Sequence, residues 1–280
     1  MTELNKFVIL WCFKGGILEP YYKTDKCKLY KCDNLELMKS LPGNYIDLIY
    51  CDILYNTGKR FNDYDDNLGT PQEAILWYKP RLIEMKRILK NTGLIYMHCD
   101  FHLSHYIKIE MDEIFGYDNF IDEIIWYYDN GGGRSKTHPN KKHDNLLMYG
   151  KTIKFTYNLD DIRVPYKETS GYAKGGITSN SGKQYSPNEK GKNIDDVWLI
   201  PIVNPMSKER NSYDTQKPIK LLNLIIKSSS NKSDIVADFF MGSGTTGEAA
   251  LELGRKFIGC DIGDKACKIS QDRLEKLMND

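Results

Sequence analysis

The stretch Asp238-Phe239-Phe240-Met241-Gly242-Ser243-Gly244-Thr245-Thr246-Gly247 constrains the fold more than any other part of the chain. It follows a short apolar run over 235–238 and opens a helical pattern over 245–253 that Gly254 ends, so it is a tight strand-to-helix turn. Gly242 and Gly244 carry no Cβ, which lets the backbone turn sharply and lets a ligand approach it closely. The next strand, 257–260, runs into Asp261. A carboxylate placed there can accept both hydroxyls of a ribose. Strand, glycine turn, helix and acid together predict a nucleoside-bearing cofactor on a doubly wound α/β sheet. The same layout suits a nicotinamide dinucleotide, so a dehydrogenase is a rival at this point. A dinucleotide fingerprint usually opens its domain, whereas this turn lies near the C-terminal end.

The preceding residues alternate strand and helix. Residues 28–32 read as a strand and 34–41 as a helix, and 45–51 is a nearly continuous apolar run, the pattern of a strand buried on both faces. A helix is predicted over 71–89, with a Thr70–Glu73 capping box, Pro71 in the first turn and a kink at Pro80. A strand over 94–97, a helix over 103–115 stopped at Gly116, and a strand over 121–127 follow. From about 129 to 212 the regular pattern breaks down. So long an irregular stretch inside a compact domain is usually functional, and Gly131, Gly132 and Gly133 read as a hinge or close-approach loop. Regularity resumes with helices over 218–227 and 265–277. The expectation is one domain, 1–280, with a Rossmann-like, mostly parallel sheet and an inserted region over roughly 129–212.

At 280 residues, with 41% hydrophobic and 28% charged residues, such a domain builds its core without disulfides or a structural metal. The net charge of +1 excludes a uniformly basic nucleic-acid binder, so any phosphate contacts must be local. Seven scattered cysteines with no Cys-x-x-Cys pair argue against a disulfide framework or zinc finger and fit a reducing cytoplasm. The apolar run 7–13 is too short to cross a bilayer and lacks a signal-peptide pattern, so it is expected to be a strand or edge element, with no membrane partner.

Asp52-Ile53-Leu54-Tyr55-Asn56-Thr57-Gly58 follows directly on the apolar strand 45–51, which places Asp52 and Tyr55 at a strand's carboxyl end, where open α/β sheets bind ligands. A carboxylate there suits chemistry on an exocyclic base amine. The lone pair of such an amine is delocalised into the ring, and a carboxylate with a backbone carbonyl can accept its two hydrogens and turn the lone pair toward an incoming methyl group. The base must leave the duplex, at a cost of a few kcal/mol, and stacking on an aromatic ring returns about 1–3 kcal/mol.

Asp52-Ile53-Leu54-Tyr55 resembles the Asp-Pro-Pro-Tyr motif of exocyclic-amino DNA methyltransferases. The glycine turn resembles their S-adenosylmethionine motif, and Thr215-Gln216-Lys217-Pro218 resembles their Gln-Lys-Pro segment. Because the catalytic motif precedes the cofactor motif, the order resembles the beta class. The resemblance implies the S-adenosylmethionine-dependent methyltransferase fold, with S-adenosylmethionine as cofactor and double-stranded DNA as partner. A cognate restriction endonuclease and a second copy of the chain are further candidate partners, and a bacterial, archaeal or phage cytoplasm is the expected setting. The methyl group would pass in line to the amine of a flipped base. Adenine N6 is favoured because the motif begins with Asp rather than Ser. A cytosine-N4 enzyme is the alternative, and a catalytically impaired DNA-binding protein of the same fold is the non-enzymatic one.

By the same resemblance Asp52, the Ile53 carbonyl and Tyr55 hold the base. Asp238, Phe240, Gly242, Ser243, Gly244, Thr245 and Asp261 line the cofactor, and Gln216, Lys217 and Pro218 pack around it. Asp33 matches a position near the cofactor's adenine, although it equally suits the cap of helix 34–41. Lys136, Lys141, Lys142 and Lys183, in the irregular stretch with Lys190 and Lys192 and interleaved with tyrosines, are candidates for DNA contact, as is Arg60. No metal is expected: His98, His102 and His105 fall on a strand end, a loop and a helix start, and the family uses none. Both family prolines are replaced, by Ile53 and Leu54. Their rigidity is therefore lost, which lowers activity unless the neighbouring strand stiffens the loop.

Overall fold

The computed structural model describes residues 18–61, 64–129 and 135–279. The expected element over 7–13 and the three consecutive glycines lie outside them. In chain order the elements are β1 (Tyr22–Lys23), β2 (Cys27–Lys31), α1 (Asn34–Ser40), β3 (Ile46–Asp52), β4 (Lys59–Arg60), β5 (Asp65–Asp66), α2 (Pro71–Ile88), β6 (Leu89–Cys99) and α3 (Ser104–Phe115). They continue as β7 (Phe120–Tyr127), β8 (His143–Gly150), α4 (Gly171–Gly175), β9 (Ile177–Thr178), β10 (Gln184–Tyr185), β11 (Val197–Leu199), α5 (Ile219–Ser229), β12 (Ile235–Asp238), α6 (Thr245–Glu252), β13 (Lys256–Asp261) and α7 (Asp264–Asn279).

β3 shows why the sheet is covered on both faces. Its Ile49 and Cys51 pack into one core layer with Leu37 of α1, Leu82 of α2 and Ile107 of α3. Its Leu48 and Tyr50 pack into the other with Leu222 of α5, Ala249 of α6 and Leu274 of α7. A strand buried on both sides has no polar face, hence the continuous apolar run. The main sheet has nine strands in the order β1-β2-β13-β12-β3-β6-β8-β7-β11. β2, β13, β12, β3 and β6 are mutually parallel. β8 lies antiparallel between β6 and β7. From β3 the chain passes through α2 to β6 on one side. From the neighbouring β12 it passes through α6 to β13 on the other. This reversal opens a crevice at the carboxyl ends of β3 and β12, where doubly wound sheets bind ligands.

The Thr70–Glu73 capping box is present. α2 runs without interruption through Pro80. The carbonyl that Pro80 cannot satisfy belongs to Leu76, a strongly exposed position where water can take it. The expected irregularity over 129–212 is corrected at two places. β8 is a core strand, with Leu146, Leu147, Met148 and Tyr149 buried, and β11 adds an edge strand parallel to β7. β6 starts at Leu89, five residues before the expected strand, because Leu89 pairs with Ile46 ahead of a register irregularity. No helix among the described residues is long and apolar enough to cross a membrane.

Candidate functional site

A cavity of about 540 Å³ opens at the β3/β12 switch point. Asp52, the last residue of β3, stands in it. The Tyr55 hydroxyl donates to Asp52 Oδ1 at 2.7 Å, and the Lys217 ammonium ion-pairs with Oδ2. Burial, and then the charge of Asp52, hold the Tyr55 pKa well above its ordinary value, so this phenol remains a donor.

The loop after Asp52 is stiff without prolines. The Ile53 N–H donates to the His98 carbonyl at 3.2 Å, and the Tyr78 hydroxyl donates to the Leu54 carbonyl at 2.8 Å. Buried Asp66 accepts the N–H groups of Asn56 and Thr57, both at 3.0 Å. Asn56 sits at φ 58, a left-handed conformation that asparagine tolerates better than most residues. Among the described residues no donor reaches the Ile53 carbonyl, so it is free to accept from a bound amine.

Behind Asp52 lies fully buried His98. Its Nδ1 is 2.7 Å from the Tyr50 hydroxyl and 3.7 Å from Asp52 Oδ1, and its Nε2 is 3.3 Å from Asp144 Oδ2. The Tyr128 hydroxyl donates to Asp144 Oδ1 at 3.2 Å. Burial works to raise the Asp144 pKa, but the hydrogen bond and charge of His98, the charge of Lys217 and the Tyr128 bond leave it below the ordinary value. The three histidines do not converge. His102 pairs instead with Asp100 in its own loop, 2.8 Å away.

The other end of the cavity is built by β12, the glycine turn and β13. Asp238 Oδ1 accepts the Phe240 N–H at 2.9 Å and Oδ2 accepts the Thr246 hydroxyl at 2.6 Å. Burial raises the Asp238 pKa to about 7. Asp261 accepts the N–H groups of Gly242, at 3.1 Å, and Gly263, at 2.9 Å. Gly242 (φ 46) and Gly244 (φ 74) both need left-handed backbone. A Cβ at Gly242 would meet the Tyr213 ring at 3.0 Å, and one at Gly244 would meet Ser270 of α7 at 2.7 Å. Gly244 therefore allows close packing of the turn on α7. Phe240 and Trp77 line the wall, with the Arg81 guanidinium 3.4 Å above the Trp77 ring centre. Arg81 also pairs with Asp33 at 2.7 Å. Asp33 both caps α1, by accepting the Leu35 N–H at 2.8 Å, and lines the cavity.

Of the expected site residues, Asp33, Asp52, Ile53, Tyr55, Lys217, Asp238, Phe240, Gly242, Ser243, Thr245 and Asp261 share this cavity. Gln216 does not. It is buried in its own loop, accepting the Asn211 N–H and donating to the Glu209 carbonyl, each at 2.8 Å. Pro218 caps α5, also outside the lining. Arg60 is exposed on the β4–β5 hairpin at the cavity mouth, 3.5 Å from Asp65. Lys136, Lys141 and Lys142 precede β8 at the same end of the sheet, and the Lys141 ammonium lies 3.2 Å from the Phe101 ring centre. Lys183 is on the β9–β10 hairpin, over Tyr185 at 5.2 Å, in a segment that leaves β8 at the opposite end of the sheet. Sequence reasoning missed the contact of Lys217 with Asp52, the His98–Asp144–Tyr128 chain, and the stacked Phe61–Tyr64 pair (4.8 Å) in the lining. Their partners are distant in sequence, and only the Phe61–Tyr64 pair had a local signal, two aromatics soon after the Asp52 motif.

A family model for N6 and N4 DNA methylases matches residues 46–272. The type II methyltransferase M.HpaI of Haemophilus parainfluenzae is 35% identical over 251 residues, covering 89% of this chain and 74% of its own. The DNA adenine methyltransferase YhdJ of Escherichia coli (strain K12) is 34% identical over 246 residues, covering 87% and 81%. Among solved structures, the cytosine-N4-specific PvuII DNA methyltransferase has the same fold, with a TM-score of 0.68 at 18% identity over 93% of both chains. A strand-end Asp52 facing a glycine turn, together with these matches, leaves no place for the dehydrogenase alternative: the chain belongs to the family of N6 and N4 DNA methylases.

Proposed function

We propose that this DNA methyltransferase moves the methyl group of S-adenosylmethionine to the exocyclic N6 amine of a flipped adenine. The observation that carries the cofactor reading is the charge of the cavity, lined by eight aspartates and two lysines. Such a lining attracts a cationic cofactor and repels the pyrophosphate of a dinucleotide. Asp261, Asp33, Trp77 and Phe240 fit the nucleoside end, and buried Asp238 faces the cationic end. When bound, S-adenosylmethionine supplies an electrophilic methyl on its sulfonium.

The chain's residues do the rest by orientation and electrostatics. A carboxylate offers about four lone-pair sites. Tyr55 and Lys217 occupy two of those on Asp52, which leaves acceptors for an amine hydrogen, and the Ile53 carbonyl takes the other. The Tyr55 ring supplies a face for the flipped base. Outside the cavity, Arg60, Lys136, Lys141 and Lys142 are proposed to meet phosphates at the mouth. The inserted stretch over roughly 129–212, with Lys183, is proposed to be the target-recognition region that reaches DNA. Adenine is preferred because the motif begins with Asp, and a relative at 34% identity is named an adenine methyltransferase. The test is incubation of duplex DNA with labelled S-adenosylmethionine, followed by digestion to nucleosides. N6-methyladenine supports the reading, N4-methylcytosine replaces the target base, and an unlabelled digest rejects it.

A further inference from the structure

A base that leaves a duplex leaves a gap in the stack, and the flipped state is stabilised when a flat apolar group fills it. A side chain with that task must stand on the rim of the cavity, exposed before DNA arrives and held by a rigid turn. Phe101, between β6 and α3, meets these conditions. β6 pairs with β3 so that His98 lies opposite Asp52. Asp100, two residues on, still lines the cavity, whereas Phe101 lies beyond the lining. Asp100 also fixes the turn. Its carboxylate accepts the His102 N–H at 2.9 Å and pairs with His102 Nδ1 at 2.8 Å, and its carbonyl accepts the Ser104 N–H at 3.0 Å. Leu103 anchors the turn in the core, while the Phe101 ring is 41% exposed.

A lone exposed apolar side chain is common on proteins, and this one is distinguished by its company. The Lys141 ammonium lies 3.2 Å from its ring centre and the His102 ring 3.9 Å from it. Cys99 pairs with Asn145, so the lysine-rich segment before β8 runs beside this turn. An ammonium suits a phosphate, and an aromatic face suits any base. We propose that Phe101 enters the helical stack where the target base leaves, while Lys141 moves from the ring to a phosphate. This rests on the reading given above, methylation of a flipped base. Phe101 is a positioning residue: it holds the flipped state open and touches no reacting atom. Because every base has a face to stack on, it adds stability without selecting sequence. Lys141 acts through charge, which salt screens, and Phe101 does not. If the ring were only a shelf for Lys141, substitutions at the two positions would act alike.

The test uses the full chain with S-adenosylmethionine. Modified-base sequencing of plasmid DNA treated with the wild type locates a methylated site. Single-turnover methylation is then measured on two duplexes carrying that site, one fully paired and one with a pyrene nucleotide opposite the target base. Pyrene fills the space of a whole base pair, so the target base is expelled before the protein binds. Phe101→Ala should be slowed roughly tenfold to hundredfold on the paired duplex, the scale of one lost base–aromatic stack. On the pyrene duplex it should approach the wild-type rate. Lys141→Ala should weaken binding of both duplexes and reduce the salt slope of DNA affinity by about 1, whereas Phe101→Ala should keep the wild-type slope. Unchanged S-adenosylmethionine affinity shows that each variant is folded. A wild-type rate for Phe101→Ala on paired DNA, or an equal loss on both duplexes, would overturn the proposal. So would a Phe101→Ala salt slope that shifts like that of Lys141→Ala. A wild type that methylates no DNA at all would overturn the methylation reading, and this role with it.

Discussion

Lys217 and Asp52 lie 165 residues apart in sequence and form an ion pair at the centre of the cavity, with the Lys217 ammonium also 5.6 Å from the Tyr55 ring centre. The pair joins the segment before α5 to the end of β3, so the Asp52 carboxylate is oriented from two sides. Replacing Lys217 by Ala leaves Tyr55 as the side chain hydrogen-bonded to Asp52 among the described residues. Single-turnover methylation at saturating S-adenosylmethionine is then expected to slow roughly tenfold, equivalent to about 1.4 kcal/mol of barrier. A wild-type rate would mean that the ion pair plays no part once DNA is bound.

The loop around Ile53 and Leu54 has been rebuilt without the family's prolines. The Ile53 N–H is used, by the His98 carbonyl, and the Ile53 side chain is buried in the core. Restoring Pro at both positions removes that donor and its packing. The orphaned carbonyl costs about 1–3 kcal/mol, which for a chain of this size lowers the melting temperature by several degrees. Methylation should slow in parallel. Unchanged melting with faster turnover would show instead that the loop is too loose as it stands.

Asp238 is raised by burial to about pH 7 in the folded protein, above the ordinary carboxylate range. Ionised Asp238 opposes folding, so the protein loses stability from this group as pH rises from about 4 to about 7, with no further loss above. A cationic cofactor has the opposite preference, for the carboxylate. S-adenosylmethionine affinity should therefore rise with pH by about tenfold for each unit by which binding lowers the Asp238 pKa, with the rise complete by about pH 7. Asp238→Asn should flatten the dependence. Calorimetry across this range checks it, and equal pH dependence in both proteins would place the titrating group elsewhere.

Much of this site was legible because its parts are local. A continuous apolar run ending in Asp52, glycines at 242 and 244, and an acid at the end of β13 each announce themselves within ten residues. The sheet brings them together through topology that strand order alone predicts. β8 was not legible: its polar start, His143-Asp144-Asn145, follows a lysine-rich run. Its buried Leu146–Tyr149 segment, covered on both faces, shows no alternation. With β8 went Asp144, and with Asp144 the meaning of His98, which in sequence is only one of three nearby histidines. Gly244 was legible as part of a sharp turn, but the packing of Ser270 against the space its missing Cβ leaves was not, because Ser270 is distant in sequence.

Asp261, proposed to hold the cofactor's ribose, also uses its carboxylate acceptors for the backbone N–H groups of Gly242 and Gly263. Asp261→Ala removes those acceptors and loosens the Gly242 turn. S-adenosylmethionine affinity should fall at least tenfold, since each hydrogen bond to a charged group contributes about 1.5–3 kcal/mol. Asp261→Asn should lose less. Calorimetry showing unchanged affinity in the alanine variant would move the ribose to another wall of the cavity.

The role proposed for Asp52 is that of the acceptor that activates a base amine. It is tested most directly by the single-turnover rate of methyl transfer to duplex DNA by Asp52→Ala, beside the affinity of the same variant for S-adenosylmethionine. A loss of at least ~10²-fold in rate is expected, as for removal of one electrostatic partner from a transition state, with cofactor affinity within a few-fold of wild type. A rate within a few-fold of wild type would contradict the account.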